Sequence, residues 1–374
     1  MKSIRNLVLF TLLFYLTVLL AYSLAYTENH VIDLSVYIHA GDKTKTKINT
    51  QGVYEFNDSW GYDGQYFWFI AKNPFDFDEI KKVYAPHYRY QRILYPLTAY
   101  ILSFGKTRLL PPLLLLINLT CVLASIKIYQ MLSPAYASKL DLVYLPLSTG
   151  LFLSVLLDLT EPLWILLILA AFYEYEKQRH ITSTALFTLA LFAKETTLFL
   201  LIPLVFYQLY LGDKKLFLTY CLPLIPFIVW QLILQQIFGA TPMFHLPGFT
   251  LPFMGIIESI ERQGAQGLTS LLPFLVLVVT LPLALVIALT EFRKKKTQTS
   301  FILLVNAFAV FFFNKGLYSD VFSTSRNLLP LTVAVLLHLA WEKDSKAHLF
   351  LLPQLGLTLL MSLYYLVKAA LIMF

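Results

Sequence analysis

Apolar runs recur along most of this 374-residue chain and are separated by short polar breaks. A helix that crosses a bilayer needs about 20 apolar residues, and about 17 is the lower end of the range. The first run, from Leu7 to about Tyr26, predicts an uncleaved signal anchor, because no clear small-x-small cleavage site follows it. Further predicted spans cover residues 109–131, 140–157, 162–175, 181–193, 197–211, 216–238, 268–290, 299–314, 327–341 and 349–367. The pattern predicts an all-α polytopic membrane protein with about eleven transmembrane helices.

One long polar stretch interrupts this pattern, between residues 27 and 91. Long loops in compact proteins are generally functional. The apolar stretch 93–104 that follows is too short to span, so it predicts an interfacial or re-entrant helix. We therefore treat residues 1–374 as a single membrane-embedded domain, with 27–91 as its first extracytoplasmic loop.

Basic residues mark alternate breaks, which predicts a cytoplasmic N-terminus by the positive-inside rule. The predicted outer breaks hold few basic residues: Lys194, Arg262, Lys315 and Arg326. The predicted cytoplasmic breaks hold Lys127 and Lys139, Lys177 and Arg179, Lys214 and Lys215, Arg293 to Lys296, and Lys343 and Lys346.

Composition narrows the class further. Charged residues make up only 14% of the chain, whereas a soluble globular protein carries about 25%. The net charge of +7 resides mostly in the short loops that set topology, which argues against nucleic-acid binding. Cys121 and Cys221 lie in apolar runs and have neither metal-ligand nor disulfide spacing. The chain has no evident internal repeat, which weakens a transporter built from inverted repeats.

Ionisable residues near the bilayer are costly and therefore predict function. Asp63 lies between Gly61 and Gly64, whose flexibility presents the carboxylate, and an aromatic run follows it. A carboxylate beside an apolar wall can have a raised pKa and act as a general base. The alternative is that Asp63 caps a helix starting near Gly64.

Four basic residues at the same predicted depth form a candidate phosphate site. Arg89 and Arg92 are three residues apart at the mouth of a predicted helix and can hold a phosphate bidentately. Their alternative role is snorkelling to lipid headgroups. We expect Lys194 and Arg326 to converge with them on one outer cavity.

Further acidic residues accompany these basic ones. Asp158 and Glu161 flank a predicted hairpin tip, where they can bind an acceptor hydroxyl, an amine or a divalent cation; alternatively, Asp158 caps a helix whose first turn holds Pro162. Glu195 follows Lys194 directly, as in many interfacial charge pairs. Asp76 and Asp78 form a D-x-D, which can hold a metal with a phosphate, although a loop surface is the favoured interpretation.

The motifs of the first loop resemble those of the GT-C glycosyltransferases, multi-spanning enzymes that use polyprenyl-phosphate-linked sugars. The runs Gly61-Tyr62-Asp63-Gly64-Gln65-Tyr66-Phe67 and Tyr88-Arg89-Tyr90-Gln91-Arg92-Ile93-Leu94-Tyr95-Pro96 are similar to a bacterial branch linked to cell-surface glycopolymers. The segments 158–162, 194–196 and 325–330 resemble the same branch.

This resemblance implies an inverting transferase in the bacterial cytoplasmic membrane. It would move a sugar from a polyprenyl-phosphate donor to a lipid-linked or surface glycan on the extracytoplasmic face. Asp63 would be the catalytic base and Arg89, Arg92, Lys194 and Arg326 would hold the donor phosphate. Substrate contacts are expected from Tyr62, Gln65, Tyr66, Asp158, Glu161 and Glu195.

No cofactor is required by this resemblance, and a divalent cation, Mg²⁺ or Mn²⁺, stays open. Two other functions also stay open: a transporter or flippase of a lipid-linked sugar, and a non-catalytic subunit of an envelope glycan assembly complex.

Overall fold

The computed structural model of the protein describes residues 2–27, 30–44, 48–133, 139–242, 248–342, 344 and 346–373. This part of the chain is almost entirely helical. Its first ten helices are α1 (Lys2–Tyr26), α2 (Asp63–Lys72), α3 (Phe77–Ile80), α4 (Pro86–Tyr90), α5 (Leu94–Ser103), α6 (Leu110–Leu132), α7 (Lys139–Tyr144), α8 (Thr149–Leu156), α9 (Glu161–Glu176) and α10 (His180–Ala193). The others are α11 (Leu198–Tyr210), α12 (Lys214–Cys221), α13 (Leu224–Phe238), α14 (Met254–Gln266), α15 (Leu268–Val278), α16 (Thr280–Lys294), α17 (Gln298–Ala309), α18 (Val321–Asn327), α19 (Leu329–Glu342) and α20 (Ala347–Met373).

The long polar loop folds against the helical bundle. It contains two short parallel strands, β1 (Ala40–Gly41) and β2 (Glu55–Phe56), with Ala40 opposite Glu55. The buried Tyr37 hydroxyl donates a hydrogen bond of 2.6 Å to the carbonyl of Leu19 in α1. Helix α2, in the second half of this loop, packs against α5 and α6. The loop is thus fixed relative to the bundle, and its side chains can contribute to a defined site.

Within the part of the chain that the structure describes, five helical segments are long and apolar enough to cross a membrane: 5–26, 107–132, 214–238, 268–294 and 347–372. Shorter apolar helices lie at 94–103, 180–193, 195–210, 298–312 and 329–342. These features agree with a helical membrane protein, but the predicted count of eleven spans is not confirmed. The stretch 94–103 is a ten-residue helix, as short as its sequence suggested.

The span predicted over 140–157 is wrong, because this stretch forms two short helices, α7 and α8. Pro146 lies between them, and proline lacks the amide hydrogen that a continuous helix needs. Every residue of α8 is buried, so its apolar character reflects a protein interior around it. Hydropathy by itself does not distinguish such a buried helix from a lipid-facing one.

Several other helices expose apolar side chains instead. On α13 and just before it, Leu222, Ile225, Ile228 and Leu232 are each more than half exposed. Contiguous apolar surface of this kind is unfavourable in water and suits a lipid environment.

The helix ends form two separate polar regions. Glu176, the last residue of α9, accepts a hydrogen bond of 2.7 Å from Gln298, and the Lys295 ammonium lies 3.7 Å from the carboxylate of Glu342. These residues belong to the predicted cytoplasmic breaks, of which Lys343 lies outside the described residues. Glu161 begins α9 and is about 22 Å away from Glu176 along the helix axis. The predicted outer breaks near Glu161 are therefore at the opposite end of the bundle.

Candidate functional site

Asp63 lies at the centre of a network of ion pairs. It is the first residue of α2, and its neighbour Tyr62 occupies the N-cap without making a side-chain capping bond. The Arg89 guanidinium donates a hydrogen bond of 2.9 Å to Oδ1 of Asp63, and both terminal nitrogens of Arg326 lie 3.3 Å from Oδ2. The Asp63 carboxylate therefore pairs with two arginines and does not cap α2.

The glycines around Asp63 serve backbone packing. Gly61 has a φ of +68°, a left-handed conformation that glycine adopts without steric cost. A Cβ atom on Gly64 would lie 2.2 Å from the carbonyl oxygen of Leu157, so only glycine permits this approach. Gly64 thus lets the start of α2 contact the turn between α8 and α9, where Asp158 and Glu161 lie.

Glu161 joins two of the predicted basic residues. It is fully buried and follows the turn after α8, with Pro162 in the first turn of α9. Its Oε1 atom accepts hydrogen bonds from Nζ of Lys194 at 2.7 Å and from Nε of Arg326 at 2.8 Å. Arg326 therefore bridges Glu161 and Asp63, which are contributed by different parts of the chain.

A second ion pair adjoins this network. Nε of Arg92 donates a hydrogen bond of 2.8 Å to Glu195, and a terminal nitrogen of Arg92 donates one of 2.6 Å to the Tyr88 hydroxyl. Arg92 is buried, and its bidentate pairing with Glu195 is inconsistent with snorkelling to lipid headgroups. Glu195 thus bonds Arg92, 103 residues away in the chain, rather than forming a local charge pair with Lys194.

The network carries an excess of positive charge. Its four basic residues face the three carboxylates of Asp63, Glu161 and Glu195, which leaves one positive charge uncompensated. Burial alone would raise the pKa of Asp63, but the charges of Arg89 and Arg326 outweigh burial and lower this pKa to about 2. The expected raised pKa is therefore wrong, because the sequence did not reveal these arginine partners.

Asp158 differs from the other carboxylates. Its side chain is completely buried, and neither carboxylate oxygen has a hydrogen-bond partner among the described residues. Burial raises the pKa of Asp158 well above its usual range, which favours the neutral acid. Its φ of +47° is uncommon for a non-glycine residue. Thr160, rather than Asp158, occupies the N-cap of α9, so the capping alternative for Asp158 is not observed.

An apolar cavity of about 440 Å³ lies beside the network. Tyr88 and Glu195, which both bond Arg92, are among the residues that line it. Asp63 and the four basic residues are not among the described residues that line this cavity. The four basic residues therefore converge in the charge network and not on the cavity. Its apolar wall includes Leu198, Phe199, Ile202, Phe249, Phe313 and Leu317.

Three residues predicted to contact substrate make internal interactions. Gln65 is completely buried, and its amide bonds Gly41, Thr44 and the Trp60 carbonyl, so it positions the loop. The Tyr66 ring is buried, and the Arg89 guanidinium carbon stacks over it at 4.0 Å from the ring centroid.

The Tyr62 hydroxyl is 3.0 Å from Oγ of Ser323, which ties α2 to α18. In the aromatic run after Asp63, Phe67 and Trp68 are buried in a core with Tyr95, so neither ring is available at the membrane interface or to a sugar.

The D-x-D of the first loop does not fit a metal site. Asp76 accepts a hydrogen bond of 3.1 Å from the Glu79 amide and so caps α3, while Asp78 is 95% exposed and lies 3.6 Å from Lys81. The two carboxylates are engaged separately, as the loop-surface interpretation implies.

The sequence interpretation missed Tyr88 and the cavity wall. Tyr88 precedes Arg92 by four residues, a spacing that places two side chains on one face of a helix. This spacing could have predicted the hydrogen bond between Tyr88 and Arg92. The apolar wall residues come from three separate segments and resemble any other lipid-facing or core residue. No sequence signal distinguished them.

The fold and site together define a helical protein that has, among its described residues, five helical segments long and apolar enough to cross a membrane. A buried ion-pair network lies at one end of its bundle. Comparison with known protein families, with curated proteins and with solved structures finds no match to this chain.

Proposed function

We propose that this protein is an integral membrane glycosyltransferase. It moves a sugar from a polyprenyl-phosphate donor to a lipid-linked or surface glycan acceptor, with inversion at the anomeric carbon. The reaction takes place on the extracytoplasmic face of the bacterial cytoplasmic membrane. The single observation that carries the proposal is the buried network that joins Asp63 to Arg89, Arg326, Glu161 and Lys194.

The excess of positive charge suits a phosphate. The Arg326 contacts with Asp63 are 3.3 Å long, whereas its Nε bond to Glu161 is 2.8 Å. The terminal nitrogens of Arg326 are therefore the weakly held donors of this network, and a phosphate can compete for them. Lys194 donates a hydrogen bond of 2.7 Å to Glu161, and an ammonium has three donor hydrogens.

The adjoining cavity suits the lipid part of such a donor. Most of its lining is apolar, and it also touches Glu195 and Tyr88 beside Arg92. A polyprenyl phosphate has an apolar chain attached to a charged head. A binding site for it needs an apolar wall close to a cationic group, and here Arg92 is bonded to Glu195 and Tyr88, which line the cavity.

Asp63 is the base of the proposed reaction. The acceptor hydroxyl oxygen attacks the anomeric carbon while Asp63 takes its proton, and the bond from that carbon to the donor phosphate oxygen breaks. The bonding electrons leave with polyprenyl phosphate, whose negative charge is stabilised by the basic residues.

Donor binding would also activate Asp63. While two arginines hold its pKa at about 2, Asp63 is a weak proton acceptor. A phosphate that draws Arg326 away from Asp63 removes part of this stabilisation of the carboxylate. Asp63 then becomes more basic only when the donor is present.

The test is sugar transfer from a polyprenyl-phosphate donor in reconstituted membranes. Asp63→Asn keeps the side-chain shape and removes the base, so the rate should fall by a factor of about 10²–10⁴. Asp78→Asn is the matched control, because Asp78 belongs to the same loop but is exposed and outside the network. It should transfer sugar like the wild type, and both variants must match the wild type in protein level and monodispersity.

Near-normal transfer by a folded Asp63→Asn protein would refute the role of Asp63. A flippase would move labelled lipid-linked sugar across the same membranes without forming a new glycosidic bond. A non-catalytic subunit would do neither.

A further inference from the structure

A second cluster of ionisable side chains lies at the end of the bundle opposite the ion-pair network. It consists of Glu291 on α16, His338 on α19 and Asp344 in the turn before α20. One potential ligand atom from each residue lies within 4.8 Å of the other two. Three segments of the chain thus bring one imidazole and two carboxylates together.

His338 has an unusual environment for a structural histidine. It is only 1% exposed, and neither ring nitrogen has a hydrogen-bond partner among the described residues. Nε2 lies 3.6 Å from Oδ2 of Asp344, too far for a good hydrogen bond. Burying a polar group without a partner is costly, so this imidazole lacks a compensating interaction.

The carboxylates are arranged so that a cation can supply that interaction. Oδ1 of Asp344 accepts a hydrogen bond of 3.0 Å from the Lys346 amide, which orients this carboxylate and leaves Oδ2 toward His338. The exposed Lys294 ammonium donates a hydrogen bond of 2.6 Å to Oε1 of Glu291, so a bound ion would compete with this lysine for the carboxylate. Surface pairs of this kind are weak, and the competition is correspondingly small.

The distances suit a small ion. Zinc binds histidine nitrogen and carboxylate oxygen at about 2.0–2.2 Å, so two ligand atoms on a tetrahedral ion lie about 3.4 Å apart. The separation of 3.6 Å between His338 and Asp344 is close to this value. Glu291 lies within 4.8 Å of both, so its carboxylate has to approach by at most about 1.4 Å, within reach of a side-chain rotation.

We propose that Glu291, His338 and Asp344 bind a divalent transition-metal ion of the zinc type. An imidazole ligand disfavours magnesium, which takes oxygen ligands, and suits zinc. The ion would tie together the ends of α16 and α19 and the start of α20. This site is independent of the proposed transferase reaction, since it lies at the other end of the bundle.

The test measures zinc binding by the full-length protein in detergent after chelator treatment. Calorimetric titration with zinc chloride should give one site per chain, and magnesium should give none. Replacing a ligand, in His338→Gln or Asp344→Asn, should weaken zinc binding by at least about 10–100-fold, the loss typical of even outer partners of a metal site. Zinc should also raise the Tm of the wild type and not that of these variants.

His348→Gln is the matched control, because Nε2 of His348 lies 3.7 Å from Asp141 in a similar pair without a third carboxylate at ligand distance among the described residues. It should bind zinc like the wild type. If His338→Gln does not fold, Glu291→Gln replaces it, since Glu291 lies at the partly exposed edge of the cluster. Equal zinc binding by the wild type and the ligand variants, or no zinc binding by the wild type, would overturn the proposal.

Discussion

Arg326 is the residue that makes the candidate site a single network. Its Nε bonds Glu161, and its terminal nitrogens face Asp63, 263 residues earlier in the chain. Breaking one partner of a buried ion pair generally costs about 3–5 kcal/mol, because the remaining charge is left uncompensated. The site is therefore a structural unit as well as a candidate reaction centre, and variants of its residues need a stability measurement beside the activity.

Asp63 should produce a specific pH dependence of stability. Its pKa in the folded protein is about 2, below its ordinary value of 3.8. A depressed pKa means that the ionised carboxylate stabilises the fold fully above about pH 5, and that this contribution is lost as the pH falls through 4 toward 2. The shift corresponds to about 2 kcal/mol.

Thermal unfolding in detergent, followed from pH 8 to pH 2.5, is the measurement. The Tm of the wild type should exceed that of Asp63→Asn by a constant amount down to about pH 5, and the gap should narrow below about pH 4. Asp78→Asn should follow the wild type throughout. A gap that stays constant to pH 2.5 would contradict the pairing of Asp63 with arginine.

At the scale of elements, close helix contacts decide where the charged side chains lie. Helix α8 packs against α18, the helix that carries Arg326, and Gly150 forms the contact. A Cβ atom at this position would lie 2.3 Å from the carbonyl oxygen of Ser325, the residue before Arg326. The small size of residue 150 thus determines the position of α18.

Gly150→Ala should therefore displace α18 and Arg326. Overpacking a tight contact costs about 1–3 kcal/mol, and we expect sugar transfer to fall with it. The matched control is Gly356→Ala in α20, where a Cβ atom meets nothing within 4 Å among the described residues. An alanine there should leave stability unchanged or raise it by about 0.5–1 kcal/mol, because alanine favours helix.

Thermal unfolding and sugar transfer are measured for both variants to test whether Gly150 holds α18 in place. Equal stability and equal transfer of Gly150→Ala and Gly356→Ala would show that the contact with Ser325 is not needed to hold Arg326.

At the scale of the whole molecule, the orientation in the membrane is the main prediction. Asp158 is buried, so a label cannot reach it, but Asp78 and Lys296 are exposed at opposite predicted sides. In a chain whose two cysteines are replaced by alanine, Asp78→Cys should react with a membrane-impermeant thiol reagent in intact cells. Lys296→Cys should react only after the membrane is permeabilised.

The reverse pattern would place the Asp63 network in the cytoplasm and would overturn the proposed extracytoplasmic reaction. The chain with both native cysteines replaced and no new cysteine added is the control for background labelling.

Hydropathy and charge pattern alone were enough to predict a helical chain with apolar helices long enough to cross a membrane, and to identify its candidate charged residues. Both follow from local properties: an apolar run favours a helix in lipid, and a charge beside such a run is costly. These rules identified Asp63, Arg89, Arg92, Lys194, Glu195 and Arg326 before their contacts were visible.

The partners of those charges and the lengths of the helices were not predictable in this way, because they depend on tertiary packing. The Asp63–Arg326 pair and the break of 140–157 into two buried helices depend on packing between distant segments, which hydropathy does not encode. The same packing lowers the pKa of Asp63, buries the aromatic run after it and isolates Asp158. A residue's chemistry depends on the neighbours that the fold supplies, and in this chain most of those neighbours are distant in sequence.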